Sequence, residues 1–378
     1  MNLHLTHDNI FIDYIITAGE ELCAGTNKFL IIQDEGVAIS RIRSKNIYSA
    51  AYNSEKFWNI VGNPNQYKAV YIHWLYGDTA RFVNSLPPSV KVVWCFWGGE
   101  GLELPGMLKD VYQPKSYQYF IDTKPGKIKF EVKDLRGYWK KKKSVDHLYK
   151  ENLKAIRRVN YFAHYLERDY RTIQKHTHFK AAFVPFFYAP LQEIVPYELA
   201  IDDKGNDILL GNSDTLTNNH LEAIDLLQQT DLAGRKIYCP LSYENGKYAA
   251  DVATYGQSKL GDAFIPLRNY MPKEEYNKIL SDCAFGVMNH NRSQALGNIL
   301  VLLWGGAKVF MSEQSSLYRF LSGNGVLVFP FEESVKTRSR NFFVKLSTEE
   351  IKFNRSKLEV VFGKQKHREQ IQQLFLLE

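Results

Sequence analysis

The chain has 378 residues, 45% apolar and 24% charged, which excludes a wholly disordered protein and exceeds one small core. Lys and Arg outnumber Asp and Glu by 48 to 41; the net charge of +7 favours an anionic partner, a nucleoside diphosphate or an anionic membrane surface. Cys23, Cys95, Cys239 and Cys283 are widely spaced with no CxxC pair, which excludes a zinc ribbon or disulfide scaffold and suits a reducing cytosol.

The opening MNLHLTHDNIFID carries His and Asp and no long apolar run, so no secretory signal is expected. Residues 28–33 (KFLIIQ), 69–74 (AVYIHW) and 91–97 (KVVWCFW) read as buried strands. Residues 81–86 read as a short helix stopped by Pro87 and Pro88, and Gly98, Gly99, Glu100 and Gly101 form a loop after the third strand. Residues 103–150 have weak periodicity and carry the basic run Lys140 to Lys143 beside Trp139. Residues 157–175 read as a helix, and 181–190 as a strand entering a domain crossing restrained by Pro185 and Pro190.

From 207 onward the alternation is regular. Strands are expected at 207–211, 235–240, 263–267, 284–288, 307–310 and 325–329, and helices at 218–229, 247–257, 272–282, 293–304 and 313–321. Pro272 followed by Glu274 and Glu275 marks a helix start. This is the rhythm of a parallel sheet covered on both faces, and predicts an α/β protein of two doubly wound domains facing across a cleft. The first domain is placed at 1–190 and the second at 191–355; the segment 356–378 supplies a last helix packing back on the first. The apolar stretch 299–304 is far short of a membrane span.

Two strand-to-helix turns carry the chemistry. In the first, Gly211 permits close backbone approach, while Asn212 and Ser213 offer donors to phosphate oxygens. A plain turn, with Asn218 and Asn219 capping the next helix, explains the same residues. Neither GxGxxG nor GxxxxGK[ST] is present. The second turn holds His290, Asn291, Arg292, Gln294, Gly297 and Asn298; a helix starting near Ser293 would place 289–294 at the positive end of its dipole. Arg292 suits two phosphate oxygens, although a solvated Arg292 and a helix-packing Gly297 are the bland reading. Between the turns, Arg268 reads as reaching phosphate or ribose, and Tyr270 with Met271 as holding a nucleobase; Tyr270 serves equally as core.

In the first domain Glu100 is the leading candidate for a general base and His73 the second, because both end or follow predicted strands. A structural histidine and a solvated loop carboxylate are the competing readings. No HExxH occurs and no DxD lies in a strand-end loop, so no metal site is expected. The run of four lysines near Arg136 and Tyr138 suits anionic lipid; nucleic acid is a poorer fit because no recognised binding module surrounds it.

The segments ILLGNSDTLTNNHLEA and FIPLRNYMPKEEYNKILSDCAFGVMNHNRSQALGNILVLLWGGAKVFM, with a thinner match in VVWCFWGGEGLELP, resemble the bacterial TDP-N-acetylfucosamine:lipid II N-acetylfucosaminyltransferase family. The resemblance is strongest over 207–312. It implies a GT-B glycosyltransferase with the nucleotide-sugar donor in the second domain and the acceptor in the first. It further implies inverting transfer of a TDP-linked amino-deoxy sugar to a polyprenyl-diphosphate saccharide, with no metal needed. The place implied is the bacterial cytoplasm, peripherally at the cytoplasmic face of the inner membrane. Gly211, Asn212, Ser213 and Gln294 through Asn298 match donor-side motifs, and Gly98 to Glu100 the acceptor-side loop. Glu100 stands where the family pattern has Asp, and Gly99 where it has Ala. Residues 103–150 depart most, and acceptor recognition is expected there. A nucleotide-sugar epimerase, a periplasmic binding protein and a noncatalytic nucleotide-sugar-binding assembly protein are the alternatives; the missing export signal counts against the second.

Overall fold

The computed structural model describes residues 1–104, 107–123, 135–198, 205–242, 246–269, 271–337 and 342–377. The chain forms two compact units: Met1–Pro105, Asp134–Pro190 and Lys364–Glu378 make the first, and Gly106–Lys133 with Leu191–Gly363 the second.

Unit 1 is built on seven strands: β1 (Asn2–Thr6), β2 (Asn27–Ile32), β3 (Tyr48–Ala50), β4 (Ala69–His73), β5 (Lys91–Cys95), β6 (Tyr161–Ala163) and β7 (Ala182–Val184). All pairs are parallel, in the order β3-β2-β1-β4-β5-β6-β7. The order reverses between β1 and β4. Ile12, Ile15 and Ile16 of the helix Ile10–Cys23 pack on one face with Phe29, Ile31 and Tyr71, joined by Ile371 and Leu374 of the helix Lys364–Phe375.

Unit 2 has six parallel strands: β8 (Asp207–Leu210), β9 (Ile237–Pro240), β10 (Phe264–Leu267), β11 (Cys283–Met288), β12 (Lys308–Met311) and β13 (Phe329–Pro330). Their order is β10-β9-β8-β11-β12-β13, with the reversal between β8 and β11. Strands such as CAFGVM are buried at every position, as a sheet covered on both faces requires. Both units are Rossmann-like, and in such sheets ligands bind beyond the carboxyl ends of the two strands where the order reverses.

Several expectations are corrected. Residues 157–175 are not one helix: the helix Leu135–Arg158 ends, β6 follows, and a second helix runs Glu167–Thr177. Asn160 causes the break, exchanging bonds with Val92 of β5 through its backbone N–H (2.9 Å) and its Oδ1 (2.8 Å). The basic run Lys140–Lys143 falls inside Leu135–Arg158, and its side chains lie outside the described residues. The domain limits also move. Gly106–Lys133 joins unit 2 because Lys115 bonds Asp225, Ser116 bonds Glu222 and Tyr119 bonds Asp251. The helix Thr348–Phe362 stays in unit 2, where Arg355 Nε donates to the Trp304 carbonyl at 2.8 Å.

Among the described residues no helix is long and apolar enough to cross a membrane.

Candidate functional site

The two turns singled out in the sequence follow β8 and β11, the adjacent strands that flank the reversal in unit 2. Gly211 continues the β8–β11 ladder, its N–H donating to the Val287 carbonyl at 2.9 Å. Its φ of 69° is left-handed, and a Cβ there would stand 2.8 Å from His220 Nε2 and 3.1 Å from Asn218 Oδ1. Only glycine fits.

A directional run of side-chain hydrogen bonds joins the turns. Arg292 Nε donates to Thr217 Oγ1 at 3.2 Å, and Thr217 Oγ1 to Gln294 Oε1 at 2.6 Å. Gln294 Nε2 then donates to Asn212 Oδ1 at 3.2 Å, which leaves Asn212 Nδ2 as the donor end. Arg292, Gln294, Asn212 and, through Asn218 Nδ2 to the Ser213 carbonyl (3.0 Å), Ser213 therefore belong to one patch.

The helix after β11 begins at Leu296, not near Ser293. Ala295 takes φ 60°, ψ 20°, a left-handed conformation that interrupts the helix and leaves 289–294 as a loop before its N-terminus. His290 closes that loop: its Nδ1 donates to the Arg292 carbonyl at 3.0 Å, and burial pushes its pKa down to about 4, so the ring is neutral. Asn291 Oδ1 accepts from Ser312 Oγ at 2.7 Å. Gly297 is not required by space, since a Cβ would meet only Ile194 Cγ2 at 3.9 Å. Asn298 Nδ2 donates to Tyr276 Oη at 3.3 Å. Arg268 is exposed past the end of β10, with Met271 following, and β9 separates β10 from β8. No described bond draws those two into the patch, and Tyr270 lies outside the described residues.

Sequence reasoning missed Thr217, His220 and Gln113, and took Asn289 only as part of the 289–294 loop. Asn219 does not cap as expected: it adopts φ 51°, ψ 47° and makes no side-chain cap bond, its carboxamide turning to neighbouring segments instead. For all but Gln113 the signal was present in the density of short polar side chains in TLTNNH and MNHN.

In unit 1, His73 ends β4 and is 1% exposed. It lies within a buried polar chain. Asn27 Oδ1 accepts from Asn2 Nδ2 (3.1 Å) and His4 Nε2 (3.2 Å). With that tautomer, His4 Nδ1 accepts from His73 Nε2 at 3.1 Å, and His73 Nδ1 accepts from Tyr188 Oη at 2.9 Å. Burial pushes His4 down to about 3 and His73 well below the usual histidine value, the latter helped by His4.

Glu100 sits in the 3-10 turn Gly99–Glu103 and is 3% exposed. Its Oε1 accepts from Trp94 Nε1 at 3.2 Å and from the Trp97 backbone N–H at 3.0 Å. Trp74, directly after His73, has φ 79°, a conformation that costs a bulky residue about 1–3 kcal/mol. Its Cη2 lies 2.6 Å from where a Gly99 Cβ would stand, so the Trp74 ring occupies the space beside the turn. His73, Trp74, Gly99 and Glu100 thus share the carboxyl edge of the sheet.

Among the described residues no three His, Cys, Asp or Glu side chains gather as for a metal ion.

Solved structures share this fold over the whole chain. Sucrose-phosphate synthase from Thermosynechococcus elongatus superposes at TM-score 0.63 with 10% identity, covering 99% of this chain and 98% of its own. The E. coli trehalose-6-phosphate protein bound with UDP-2-fluoro glucose gives 0.61 at 10% identity, with both chains covered completely (100% each). WaaG, a glycosyltransferase involved in lipopolysaccharide biosynthesis, gives 0.57 at 9% identity over 99% of this chain and 98% of that one. The sequence model for the family described as 4-alpha-L-fucosyltransferase glycosyl transferase group 56 matches residues 153–362, more than half of the chain. With two Rossmann-like domains of the GT-B kind and that match, the chain belongs to the glycosyl transferase group 56 family and is a GT-B glycosyltransferase.

Proposed function

We propose that the protein is an inverting glycosyltransferase that takes its sugar from a TDP-linked donor, an N-acetylated amino-deoxyhexose such as N-acetylfucosamine. The acceptor is a polyprenyl-diphosphate-linked saccharide. The observation that carries this reading is the run Arg292–Thr217–Gln294–Asn212 across the reversal between β8 and β11. It holds a guanidinium and a carboxamide donor end on the edge where β8 ends at Gly211, ahead of the helix Leu296–Trp304. A diphosphate is the ligand that matches this set. The fucosyl description of the matched family agrees with a 6-deoxy sugar.

In the reaction, Gly211, Asn212, Ser213, Arg292 and Gln294 hold the diphosphate and stabilise the charge that develops as it leaves. Gly297 and Asn298 continue that surface along the helix. Arg268, Tyr270 and Met271 serve the ribose and nucleobase. Glu100 takes the proton of the acceptor hydroxyl as that oxygen bonds to the anomeric carbon and the bond to the diphosphate breaks, which inverts the centre. His73, the other candidate, has both ring nitrogens committed to His4 and Tyr188. The enzyme works peripherally at the cytoplasmic face of the inner membrane, with Lys140 to Lys143 meeting anionic lipid.

The test offers TDP-, UDP- and GDP-sugars with polyprenyl-diphosphate saccharides and reads the product anomer by NMR. Transfer from TDP-sugar with inversion is expected; a product that keeps the donor's anomeric configuration sinks the single displacement. Replacing the four lysines should weaken binding to anionic vesicles, and equal binding by variant and parent removes their membrane role.

A further inference from the structure

Three carboxamides tie together the two turns of unit 2, and one of them comes from the N-terminal half of the chain. Asn219 Nδ2 donates to the Asn289 carbonyl at 3.1 Å and to the Val111 carbonyl at 3.3 Å. Asn289 Nδ2 donates to the Asn219 carbonyl and to Gln113 Oε1, both at 3.2 Å. Gln113 answers twice: its Nε2 donates to Asn289 Oδ1 at 3.1 Å, and its backbone N–H to Asn219 Oδ1 at 3.0 Å. Gln113 and Asn289 therefore form a reciprocal amide pair, and both Asn side chains use their oxygen and their NH₂.

The segment that delivers Gln113 is itself anchored on unit 2. Ser116 donates to Glu222 through its N–H (2.8 Å) and its hydroxyl (2.6 Å), Tyr119 Oη donates to Asp251 at 2.6 Å, and Lys115 pairs with Asp225. Asn219 and Asn289 are 0% and 2% exposed, so neither regains a lost partner from water without opening the fold.

We infer that Gln113 is a positioning residue for donor binding, with Met107–Thr123 acting as a brace that sets the spacing of the turns after β8 and β11. The inference rests on the donor reading of those turns. Gln113 acts through Asn219, which stands where the first turn enters its helix, and Asn289, which stands where the second leaves its strand. Removing its side chain strips Asn289 of a donor and an acceptor at once. The run from Arg292 to Asn212 spans the same gap and loses its register with it.

The experiment measures binding of TDP, UDP and GDP by calorimetry to the parent, Gln113→Ala, Asn289→Ala and the double variant, with steady-state kinetics alongside. Each single variant is expected to bind the preferred nucleotide about tenfold more weakly, and the double variant no more weakly than the worse single one, because the pair works as a unit. Donor KM should rise while acceptor KM stays at its parental value. Gln113→Glu keeps the size and the oxygen that accepts from Asn289 but loses the donor; an intermediate loss is expected, and it carries the test if Gln113→Ala does not fold. Parental nucleotide affinity in Gln113→Glu, or in a folded Gln113→Ala, overturns the positioning role and leaves the donor reading standing. A rise confined to acceptor KM overturns it as well. A parent that binds none of the three nucleotides overturns the donor reading and this inference together.

Discussion

His220 Nε2 closes over Gly211: it stands 2.8 Å from the point where a Cβ on that glycine would be, with Asn218 Oδ1 at 3.1 Å on the same point. Gly211 also holds φ 69°. Gly211→Ala therefore meets a backbone penalty and a steric one, and neither neighbour is at the end of a long flexible side chain. A loss of about 1–3 kcal/mol in unfolding free energy is expected. If the donor diphosphate approaches this backbone, nucleotide affinity falls as well. Urea unfolding and nucleotide calorimetry on the same variant separate the two effects, and an unchanged stability would mean that His220 and Asn218 give way freely.

Gly297→Ala should behave in the opposite way. The residue is inside a helix, its φ is not left-handed, and the added methyl would meet only Ile194 Cγ2 at ordinary distance. Replacing a helical glycine by alanine stabilises by roughly 0.5–1 kcal/mol. If the diphosphate lies on this helix face, affinity drops while stability rises. A variant that gains stability with no change in affinity removes Gly297 from the binding surface.

The contrast between these glycines shows what was legible. Strand-to-helix turns after 207 stand out because strands such as CAFGVM are apolar throughout, ILL follows Asp207 in β8, and Pro272 marks a helix start. That placed both turns without any structure. β1 stayed hidden because NLHLT carries Asn2 and His4, polar residues in a strand buried at all five positions. Their compensation comes from Asn27 and His73, far along the chain. Gln113 was invisible for the same kind of reason: it lies in a stretch of weak periodicity and its partners are 106 and 176 positions away. Local pattern reports which residues leave the water; it does not report which buried polar groups find each other.

Buried histidines predict an acid-labile fold. Burial lowers His4 and His220 to about 3, His290 and His367 to about 4, and His73 well below its usual value. The unfolded chain takes up protons near pH 6.5 that the folded chain refuses until much lower pH. Stability is therefore full above about pH 6.5 and falls as pH drops from there towards the folded values, by about 1.4 kcal/mol per pH unit for each such histidine. Chemical denaturation at pH 5 should show a clearly lower midpoint than at pH 7. A flat profile across that window would mean the imidazoles are reached by water in the native state.

Glu100→Gln separates the chemistry of the carboxylate from its structural service. The amide oxygen can still accept from Trp94 Nε1 and from the Trp97 N–H, so the turn Gly99–Glu103 keeps its anchors. What is lost is the ability to take a proton. If Glu100 is the base, kcat should fall by about 10²–10⁴ with nucleotide affinity intact. Gly99→Ala offers the complementary case: it leaves the carboxylate in place but drives a methyl into the Trp74 ring, whose Cη2 is 2.6 Å away, so the ring or the turn must shift. Its kcat loss should come with a change in tryptophan fluorescence as the Trp74 ring is displaced. Parental turnover by Glu100→Gln would dismiss this carboxylate as the base, whatever Gly99→Ala does.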